Sequence, residues 1–353
     1  MTNSVRVAIF GAGRWGNHLI RNFFSHPQAE IVGIADPNLE RLEAIQAKLK
    51  LPTSVKLATD WTTVMNLPGL EAVVIVTPAS THYSLISDAL QRGYHVFVEK
   101  PLTLKYSDSL ELCHLAEQCD RRLFVDHTYL FNPAVNQGRA IVQGKTLGEL
   151  RYGYATRTHL EPVRQDVDAL WDLAIHDICI FNHWLGQMPT QVQATGTVWL
   201  QPQTPLKVGH PQDLDDEIIL PGLADFILAT LTYGNGFRAF IHLCWLNPDK
   251  QRRLAVVGNQ GTLIFDELLP DTLTLQRGSV KPISPGWRGT GQNREVIHVP
   301  AGEPLAQVCD HFLNCVIRNQ SSPISSGYFG AELVRVLCGL SQSLAQGSAL
   351  IHL

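Results

Sequence analysis

The sequence has 353 residues, 45% of them hydrophobic and 17% charged, and a formal net charge of −4 at pH 7. This length favours two domains over a single core, and the composition is that of a globular protein and excludes a disordered chain. The weak negative charge argues against nucleic acid as a partner, and no apolar stretch approaches the roughly 20 residues that span a bilayer. We therefore expect neither a nucleic-acid partner nor a membrane association.

The first 130 residues alternate short apolar runs with helical patterns. Runs of this kind, rich in β-branched residues and separated by helices, indicate a parallel sheet that is covered on both faces. We therefore predict an α/β protein whose N-terminal domain, residues 1–130, is a doubly wound Rossmann fold with its ligand at the carboxyl ends of the strands. The predicted strands are residues 5–10, 31–35, 73–76, 95–98 and 122–125.

Beyond residue 132, strand-like segments follow one another with short turns between them. The turn Tyr233-Gly234-Asn235-Gly236 is typical of a β-hairpin. We predict a C-terminal α+β domain, residues 131–353, built on a mostly antiparallel sheet. Its predicted strands are residues 193–200, 223–233, 237–245 and 254–265, and its predicted helices are residues 169–185, 305–318 and 330–346. Residues 201–212 are predicted as a long surface loop or arm.

The cysteines show no spacing of the CxxC type that binds zinc or performs redox chemistry, and we predict no metal site. We expect reduced thiols that serve as small core residues, and hence a cytoplasmic location. The N-terminal residues lack the basic and apolar regions of a signal peptide, which agrees with that expectation. The seven cysteines are Cys113, Cys119, Cys179, Cys244, Cys309, Cys315 and Cys338.

A glycine-rich turn follows the first predicted strand. Gly11, Gly13 and Gly16 have the spacing G-x-G-x-x-G, and the following residues open a predicted helix. Such glycines permit a tight turn and a close approach of the backbone to a pyrophosphate, which the helix N-terminus binds. Arg14 and Trp15 lie within the turn, and we expect them near the phosphates and the nicotinamide end. Strand, turn and helix together predict a dinucleotide site.

The choice of dinucleotide depends on Asp36, which ends the second predicted strand twenty residues after Gly16. A carboxylate at this place accepts hydrogen bonds from the adenosine ribose hydroxyls and would repel a 2′-phosphate. Residues 37–39 offer no arginine that could bind such a phosphate. We therefore predict NAD as the cofactor, with NADP as the weaker alternative.

Two groups of titratable residues are candidates for acid–base chemistry. Lys100, within Glu99-Lys100-Pro101, follows the strand at 95–98; it is either a solvated surface lysine or a lysine beside the positive nicotinamide, which would depress its pKa toward the working range. Asp172 and His176 are four residues apart, so a helix places both on one face. The carboxylate can then orient a titratable imidazole, whereas the alternative for His176 is a core histidine.

These motifs, in this order, resemble the glucose-fructose oxidoreductase / inositol dehydrogenase / MocA family. The resemblance covers essentially the whole chain and implies a dehydrogenase that acts on CH–OH groups with NAD. It implies that Lys100, Asp172 and His176 form the catalytic triad. The other residues that it places at the cofactor are Thr77, Pro78, His82 and Glu99.

Two segments are similar to the branch of this family that acts on nucleotide-linked sugars, the UDP-N-acetylglucosamine and UDP-N-acetylglucosaminuronate 3-dehydrogenases. One is residues 170–177, although the usual proline before the histidine is Ile175 here. The other is residues 245–266, with Lys250 and Arg252. This similarity implies hydride transfer from C3 of a nucleotide-linked sugar to nicotinamide, with an inositol or free-sugar dehydrogenase as the alternative.

In such a reaction a secondary hydroxyl loses its proton as hydride leaves the same carbon. Lys100 and His176 are the two candidate acid–base groups; we favour His176 as the proton acceptor, with Lys100 binding the substrate oxygen and Asp172 orienting the set. Arg157 and Arg164 have the fork that suits a diphosphate or a carboxylate, and ordinary solvated surface is the alternative for both. Tyr129 and Asn132, the latter in an Asn-Pro motif of the family, are expected to line the substrate pocket.

A function of another class is a non-catalytic NAD(H)-binding sensor or assembly subunit, because fold alone does not establish activity. The joint presence of Lys100, Asp172 and His176 favours an enzyme, since a sensor needs no acid–base set. The resemblance also implies a homodimer or homotetramer that associates through the open face of the C-terminal sheet.

Overall fold

The protein is described by a computed structural model over residues 4–269 and 272–353. It divides into two compact units. The first comprises Met1–Thr128 and Glu303–Val334, and the second comprises Tyr129–Gly302 and Arg335–Leu353. The predicted domains, residues 1–130 and 131–353, follow chain order and stay a prediction. The predicted first domain lacks the late segment Glu303–Val334, which the structure assigns to the first unit.

The first unit contains a six-stranded sheet in the order β3-β2-β1-β4-β5-β6. All of its strands are parallel, and β4 is buried along its whole length. The central strands are therefore covered on both faces, as their unbroken apolar runs predict. The predicted Rossmann fold and α/β class are confirmed. The strands are β1 (Val5–Phe10), β2 (Ala29–Ala35), β3 (Lys56–Ala58), β4 (Ala72–Ile75), β5 (His95–Glu99) and β6 (Leu123–Asp126).

Helices connect these strands, and local caps account for where several of them begin. Asn38 accepts a hydrogen bond from Arg41 N at the start of α2, and Asp60 accepts one from Thr62 N at the start of α3. Each of these bonds pairs an amide that would otherwise lack an intrahelical partner. The helices are α1 (Gly16–Ser25), α2 (Leu39–Leu49), α3 (Trp61–Met65), α4 (His82–Gln91) and α5 (Tyr106–Gln118).

The second unit contains a nine-stranded sheet in the order β16-β15-β14-β13-β7-β12-β11-β8-β17 and a separate pair formed by β9 and β10. Among the described residues, only the pairing of β7 with β12 is parallel in the large sheet. The prediction of a mostly antiparallel sheet is confirmed. The strands up to residue 296 are β7 (Leu150–Leu160), β8 (Pro189–Thr197), β9 (Leu206–Gly209), β10 (Glu217–Leu220), β11 (Phe226–Tyr233), β12 (Arg238–Cys244), β13 (Leu246–Gly258), β14 (Gly261–Asp266), β15 (Leu273–Pro282) and β16 (Trp287–Val296).

The predicted helix over residues 169–185 is present, but its first turn differs from an α-helix. Leu170–Ala174 is π-helical, and α7 (Ile175–Leu185) follows it directly. Asp172 lies in the wider π turn and His176 in the α turn. The one-turn relation of an ideal α-helix therefore does not apply to this pair, and π segments occur frequently at functional sites.

The remaining elements complete both units. The predicted C-terminal helices are confirmed within a few residues of their expected ends. The boundary between the two units falls inside the last helix. These elements are α6 (Pro133–Gln143), α8 (Pro304–Ile317), α9 (Gly327–Ala345) and β17 (Ile351–His352).

The late segment Glu303–Val334 belongs to the core of the first unit. Phe312 on α8 packs edge-on against Phe23 and Phe97, and its ring also contacts Phe124. All four rings are buried. The aromatic core of the Rossmann unit therefore contains a side chain, that of Phe312, which lies almost two hundred residues after β6 in the sequence.

Two local predictions for the second unit are wrong. Residues 201–212 were expected to form a loop, but they contain β9, where Leu206 and Val208 are buried and pair with β10. The short apolar alternation there is hidden among prolines and glycines. Residues 254–265 were expected to form one strand, but a turn at residues 259–260 divides them into β13 and β14, because both strands carry apolar runs that continue up to the turn.

The seven cysteines are free, and all but Cys119 are buried, as expected for thiols that serve as core residues. Within residues 4–269 and 272–353 no helix combines the length and apolar character that crossing a membrane requires.

Candidate active site

The glycine turn of the first unit is built for a close approach to the backbone. Gly11 has a φ of 103°, and a Cβ on it would lie 2.4 Å from the carbonyl oxygen of Val76. A Cβ on Gly16 would lie 2.1 Å from the carbonyl oxygen of Gly11. At Gly13 the nearest atom, in the Arg41 side chain, is 3.9 Å away. Two glycines are thus required by packing, while the third leaves space at the N-terminus of α1.

Asp36 lies at the end of β2 and joins it to this turn. Its buried carboxylate accepts a hydrogen bond from Ala12 N at 2.7 Å and another from Asn38 N at 2.9 Å. The guanidinium of Arg41 is 3.8 Å from the same carboxylate. The search for an arginine over residues 37–39 missed Arg41, because the first turn of α2 brings a residue five positions later back to the strand end.

The loops after β4 and β5 are tied together by His82. Its Nδ1 lies 2.9 Å from the carbonyl oxygen of Pro101, and its Nε2 lies 3.0 Å from that of Thr77. Thr77 also shares a hydrogen bond with Thr81, Oγ1 to Oγ1 at 2.6 Å. The structure therefore brings predicted cofactor residues into one buried network, in which His82 positions the loops. Pro78 immediately precedes the short 3₁₀ turn that leads into α4.

A buried group of polar side chains surrounds Lys100. Glu99 at the end of β5 and Asp126 at the end of β6 are partners in the register of these parallel strands. Burial, followed by the charge of Asp126, raises the pKa of Glu99 well above its usual range, and Lys100 opposes this increase. Burial also raises the pKa of Asp126, against hydrogen bonds from Thr128 and Glu99. The indole of Trp15 lowers the pKa of both carboxyl groups.

Trp15 and Arg14, predicted to lie near the cofactor, are both exposed in the glycine turn. The indole of Trp15 is 44% exposed and contacts the His18 ring with centroids 5.5 Å apart. An exposed aromatic side chain that also reaches the buried carboxyl groups is available for contact with a bound molecule. Of the predicted cofactor residues, Trp15 is therefore the one that connects the glycine turn to the group around Lys100.

In the second unit, Asp172 is held from two sides. Its Oδ2 accepts a hydrogen bond from the indole Nε1 of Trp245 at 3.3 Å, and its Oδ1 accepts one from Arg164 at 3.4 Å. Arg164 also binds Asp166 through two hydrogen bonds. Asp172 itself is only 18% exposed, so this carboxylate is fixed and largely shielded. Arg164 is thus placed beside a predicted catalytic residue.

His176 contacts Tyr129, another predicted site residue, with ring centroids 5.0 Å apart. The hydroxyl of Tyr129 donates to Glu267 at 2.6 Å and accepts from Arg157 at 2.9 Å. Burial raises the pKa of Tyr129, so its hydroxyl stays protonated. The ring of Tyr129 is therefore held in place beside the imidazole of His176 by hydrogen bonds to Glu267 and Arg157.

Arg157 is not a free fork for an anionic substrate. Its Nε and Nη2 donate to the two carboxylate oxygens of Asp177 at 3.0 and 2.9 Å, and its side chain is only 4% exposed. Asn132 is likewise engaged, because its Oδ1 caps α6 by accepting from Ala134 N at 2.8 Å. Their roles as substrate ligands stay predictions, and both have a structural partner that accounts for them.

Several residues of these sites were missed by the sequence reasoning. Asp126 follows the same rule that singled out Lys100, since it ends the neighbouring parallel strand, and that signal could have found it. Asp177 is the last residue of the segment 170–177, but nothing in the sequence assigns it a role. Glu267 and the buried Asp168 carry no recognisable pattern, because their partners are set by the pairing of distant strands and by the π turn.

Comparisons with known proteins identify the family. The family description "Oxidoreductase family, NAD-binding Rossmann fold" matches residues 5–127, and the description "GFO/IDH/MocA C-terminal domain" matches residues 135–264. A crystal structure of a protein assigned as an oxidoreductase from Magnetospirillum magnetotacticum MS-1 is 30% identical, with a TM-score of 0.75, over 96% of this chain and 99% of that one. The chain belongs to the GFO/IDH/MocA family of oxidoreductases.

Two curated relatives cover nearly the same extent. The chain is 28% identical to the scyllo-inositol 2-dehydrogenase (NAD(+)) of Bacillus subtilis (strain 168) over 334 residues, 92% of this chain and 89% of that protein. It is 26% identical to the UDP-N-acetylglucosamine 3-dehydrogenase of Acidithiobacillus ferrooxidans over 317 residues, 88% of each. The protein is a dehydrogenase of this family that acts on CH–OH groups and binds NAD.

The glycine turn fits that cofactor. The space at Gly13, the absence of a side-chain cap on α1 among the described residues, and the buried carboxylate of Asp36 suit a pyrophosphate and a ribose. Bound NAD would accept the hydride of the reaction.

Proposed function

We propose that this protein oxidises a secondary hydroxyl of a sugar or polyol. In this proposal His176 takes the hydroxyl proton, Lys100 binds the same oxygen, and Asp172 orients the set. The observation that carries the proposal is the fixed carboxylate of Asp172, which Trp245 and Arg164 hold on the helix that also bears His176. A base positioned in this way contributes typically about 10²–10⁴-fold to the rate.

We propose a nucleotide-linked sugar, oxidised at C3, as the substrate. The resemblance of residues 170–177 and 245–266 to that branch supports this choice, as does the similarity to a UDP-N-acetylglucosamine 3-dehydrogenase along most of the chain. Lys250 is exposed in the second segment and is available to an anionic group.

One observation favours a second candidate, an inositol or a free sugar. Arg157, the arginine best suited to a diphosphate, is already bound to Asp177. A substrate without charge needs no such fork. The similarity to a scyllo-inositol 2-dehydrogenase supports the same alternative.

A substrate panel separates the candidates. NADH formation is measured with UDP-N-acetylglucosamine, scyllo-inositol, myo-inositol and glucose, and the thermal midpoint is measured with each compound and NAD. Because a ligand stabilises the state that it binds, the true substrate raises the midpoint. Binding of NAD without turnover of any compound would favour the non-catalytic sensor.

Variants test the roles of the residues. We expect His176→Asn and Lys100→Met to lower kcat by about 10²-fold or more while NAD still binds. His183→Asn is the matched control, since His183 lies on the same helix and contacts Asn136 at 3.1 Å. Undiminished turnover in His176→Asn would exclude its role as the base.

We further propose a cytoplasmic homodimer or homotetramer. The sheet of the second unit has one face that carries exposed apolar side chains in adjacent strands, namely Tyr152 on β7, Phe240 on β12 and Leu228 on β11. Large exposed apolar patches mark association sites. Light scattering after size-exclusion chromatography tests the proposal, and a monomer at micromolar concentration would contradict it.

A further inference from the structure

Two carboxyl groups lie side by side next to Lys100. Glu99 and Asp126 are register partners on adjacent parallel strands, so their side chains project from the same face of the sheet. Asp126 is 2% exposed, and the Oε1 atom of Glu99 is buried. The two side chains interact directly.

In each carboxyl group of this pair, one oxygen accepts a hydrogen bond and the other does not. Oδ1 of Asp126 accepts from Thr128 Oγ1 at 2.7 Å, and Oε2 of Glu99 accepts from Lys100 N at 3.3 Å. Oε1 of Glu99 and Oδ2 of Asp126 are buried and find no hydrogen-bond partner within residues 4–269 and 272–353. Two ionised carboxylates in such contact repel each other, and a single proton removes the repulsion and supplies the missing donor.

We propose that Glu99 and Asp126 share one proton at neutral pH and act as a positioning pair that presents a single negative charge to Lys100. The effect on catalysis rests on the proposed function, in which Lys100 binds the substrate oxygen. The sharing of the proton does not.

Three other polar groups near the pair carry no charge, while Arg21 and Glu303 are charged groups near Cys309. Burial lowers the pKa of His127 to about 3, and its Nδ1 pairs with Ser325 at 3.0 Å. Burial raises the pKa of Cys309, on α8, well above its usual range. Thr128 contributes a hydrogen bond without charge to Oδ1 of Asp126. Lys100 is therefore the charged neighbour that the pair acts upon.

The first experiment detects the shared proton without any substrate. Infrared spectra of the full chain at pH 7 should show the carbonyl band of a protonated carboxyl group, which is lost in both Glu99→Gln and Asp126→Asn. Asp168→Asn is the control, because burial raises the pKa of Asp168 to about 7 and it contributes a band of its own. The spectra are therefore compared in an Asp168→Asn background, where a band that persists after Glu99→Gln and after Asp126→Asn would overturn the proposal. Circular dichroism verifies the fold of each variant.

The second experiment counts the charge through the pH profile of kcat/KM. Either single amide leaves the pair with one negative charge, so the pH at which the Lys100 limb falls should stay native in each, whatever the change in the height of the profile. The double variant Glu99→Gln/Asp126→Asn removes the charge and should move the limb that reports Lys100 to lower pH by about one unit or more. A shift of that size in Glu99→Gln alone would show that both groups are ionised. An unshifted double variant would overturn the positioning role while the infrared result stands.

Discussion

Arg157 and Asp177 form a buried ion pair in which two parallel hydrogen bonds, at 3.0 and 2.9 Å, join the guanidinium to the carboxylate. The side chains are only 4% and 2% exposed. The pair fastens β7 to α7, the helix that carries His176. Arg157, which the sequence suggested as a substrate ligand, therefore already binds Asp177 within its own unit.

Removal of Arg157 should destabilise the protein rather than weaken substrate binding alone. We expect Arg157→Met to lower the free energy of unfolding by about 3–5 kcal/mol, because it leaves the charge of Asp177 buried without a partner. The double variant Arg157→Met/Asp177→Leu should recover most of this loss, since the buried charge is gone. Urea denaturation measures both. A stable Arg157→Met variant with a greatly raised KM would instead make Arg157 a substrate ligand.

The two glycines of the turn should respond differently to the same change. Gly11→Ala places a Cβ 2.4 Å from Val76 O in a backbone with φ of 103°, so we expect loss of stability as well as of NAD binding. Gly13→Ala has 3.9 Å of space and should keep its thermal midpoint while it binds NAD more weakly. Differential scanning fluorimetry with and without NAD distinguishes the two. Equal destabilisation of both variants would contradict the geometry.

The unfolding free energy should contain a component that depends on Asp168. Burial raises its pKa from 3.8 to about 7, so the folded state holds the proton more tightly than the unfolded state. The resulting stability is fully present below pH 4 and is lost as the pH rises to about 7. Its size is on the order of 4 kcal/mol, at about 1.4 kcal/mol per unit.

The measurement compares the native protein with Asp168→Asn between pH 4 and 8. The asparagine can keep the hydrogen bond that Asp168 accepts from Trp171 N at 3.1 Å. The variant should lack this component, so the difference in stability between the two proteins should move in favour of the variant as the pH rises. A difference that does not change with pH would exclude the raised pKa.

The indole of Trp245 should matter to turnover through Asp172. Trp245→Phe removes one hydrogen bond to this carboxylate, and we expect kcat to fall by about tenfold, which corresponds to about 1.4 kcal/mol. Trp184→Phe is the matched control, because this indole is also buried and donates to Val135 O at 2.8 Å. It should lose comparable stability with an unchanged kcat. Equal kcat values for the two variants would show that the hydrogen bond from Trp245 to Asp172 does not contribute to turnover.

The sequence predicted the Rossmann unit well because parallel strands buried on both faces leave continuous apolar runs, as in β1 and β4. It missed β15 and β16, since β16 is exposed along almost its whole length and has no alternation that marks a strand. The edge of the first unit that bears Glu99 and Lys100 was predictable from the end of a strand. The pairing of Glu99 with Asp126 was not, because it depends on which strands become neighbours.

The partner of a functional residue is set by tertiary structure, which explains the remaining differences. The spacing of Asp172 and His176 predicted one α-helical turn, yet Asp172 lies in a π turn and His176 in the α-helix that follows it. Trp245, which fixes Asp172, lies between β12 and β13, seventy-three residues later. No local pattern encodes that contact.

The position of Phe312 late in the sequence also affects how the protein folds during its synthesis on the ribosome. The Rossmann unit cannot close its aromatic core when its sixth strand emerges, because the ring that packs on Phe23, Phe97 and Phe124 has not been synthesised. That surface stays uncovered until residues 129–302, which hold every strand of the nine-stranded sheet except β17, have been translated. Chaperone engagement during this interval, and protease sensitivity of any chain truncated before residue 303, are inherent in the order of its segments.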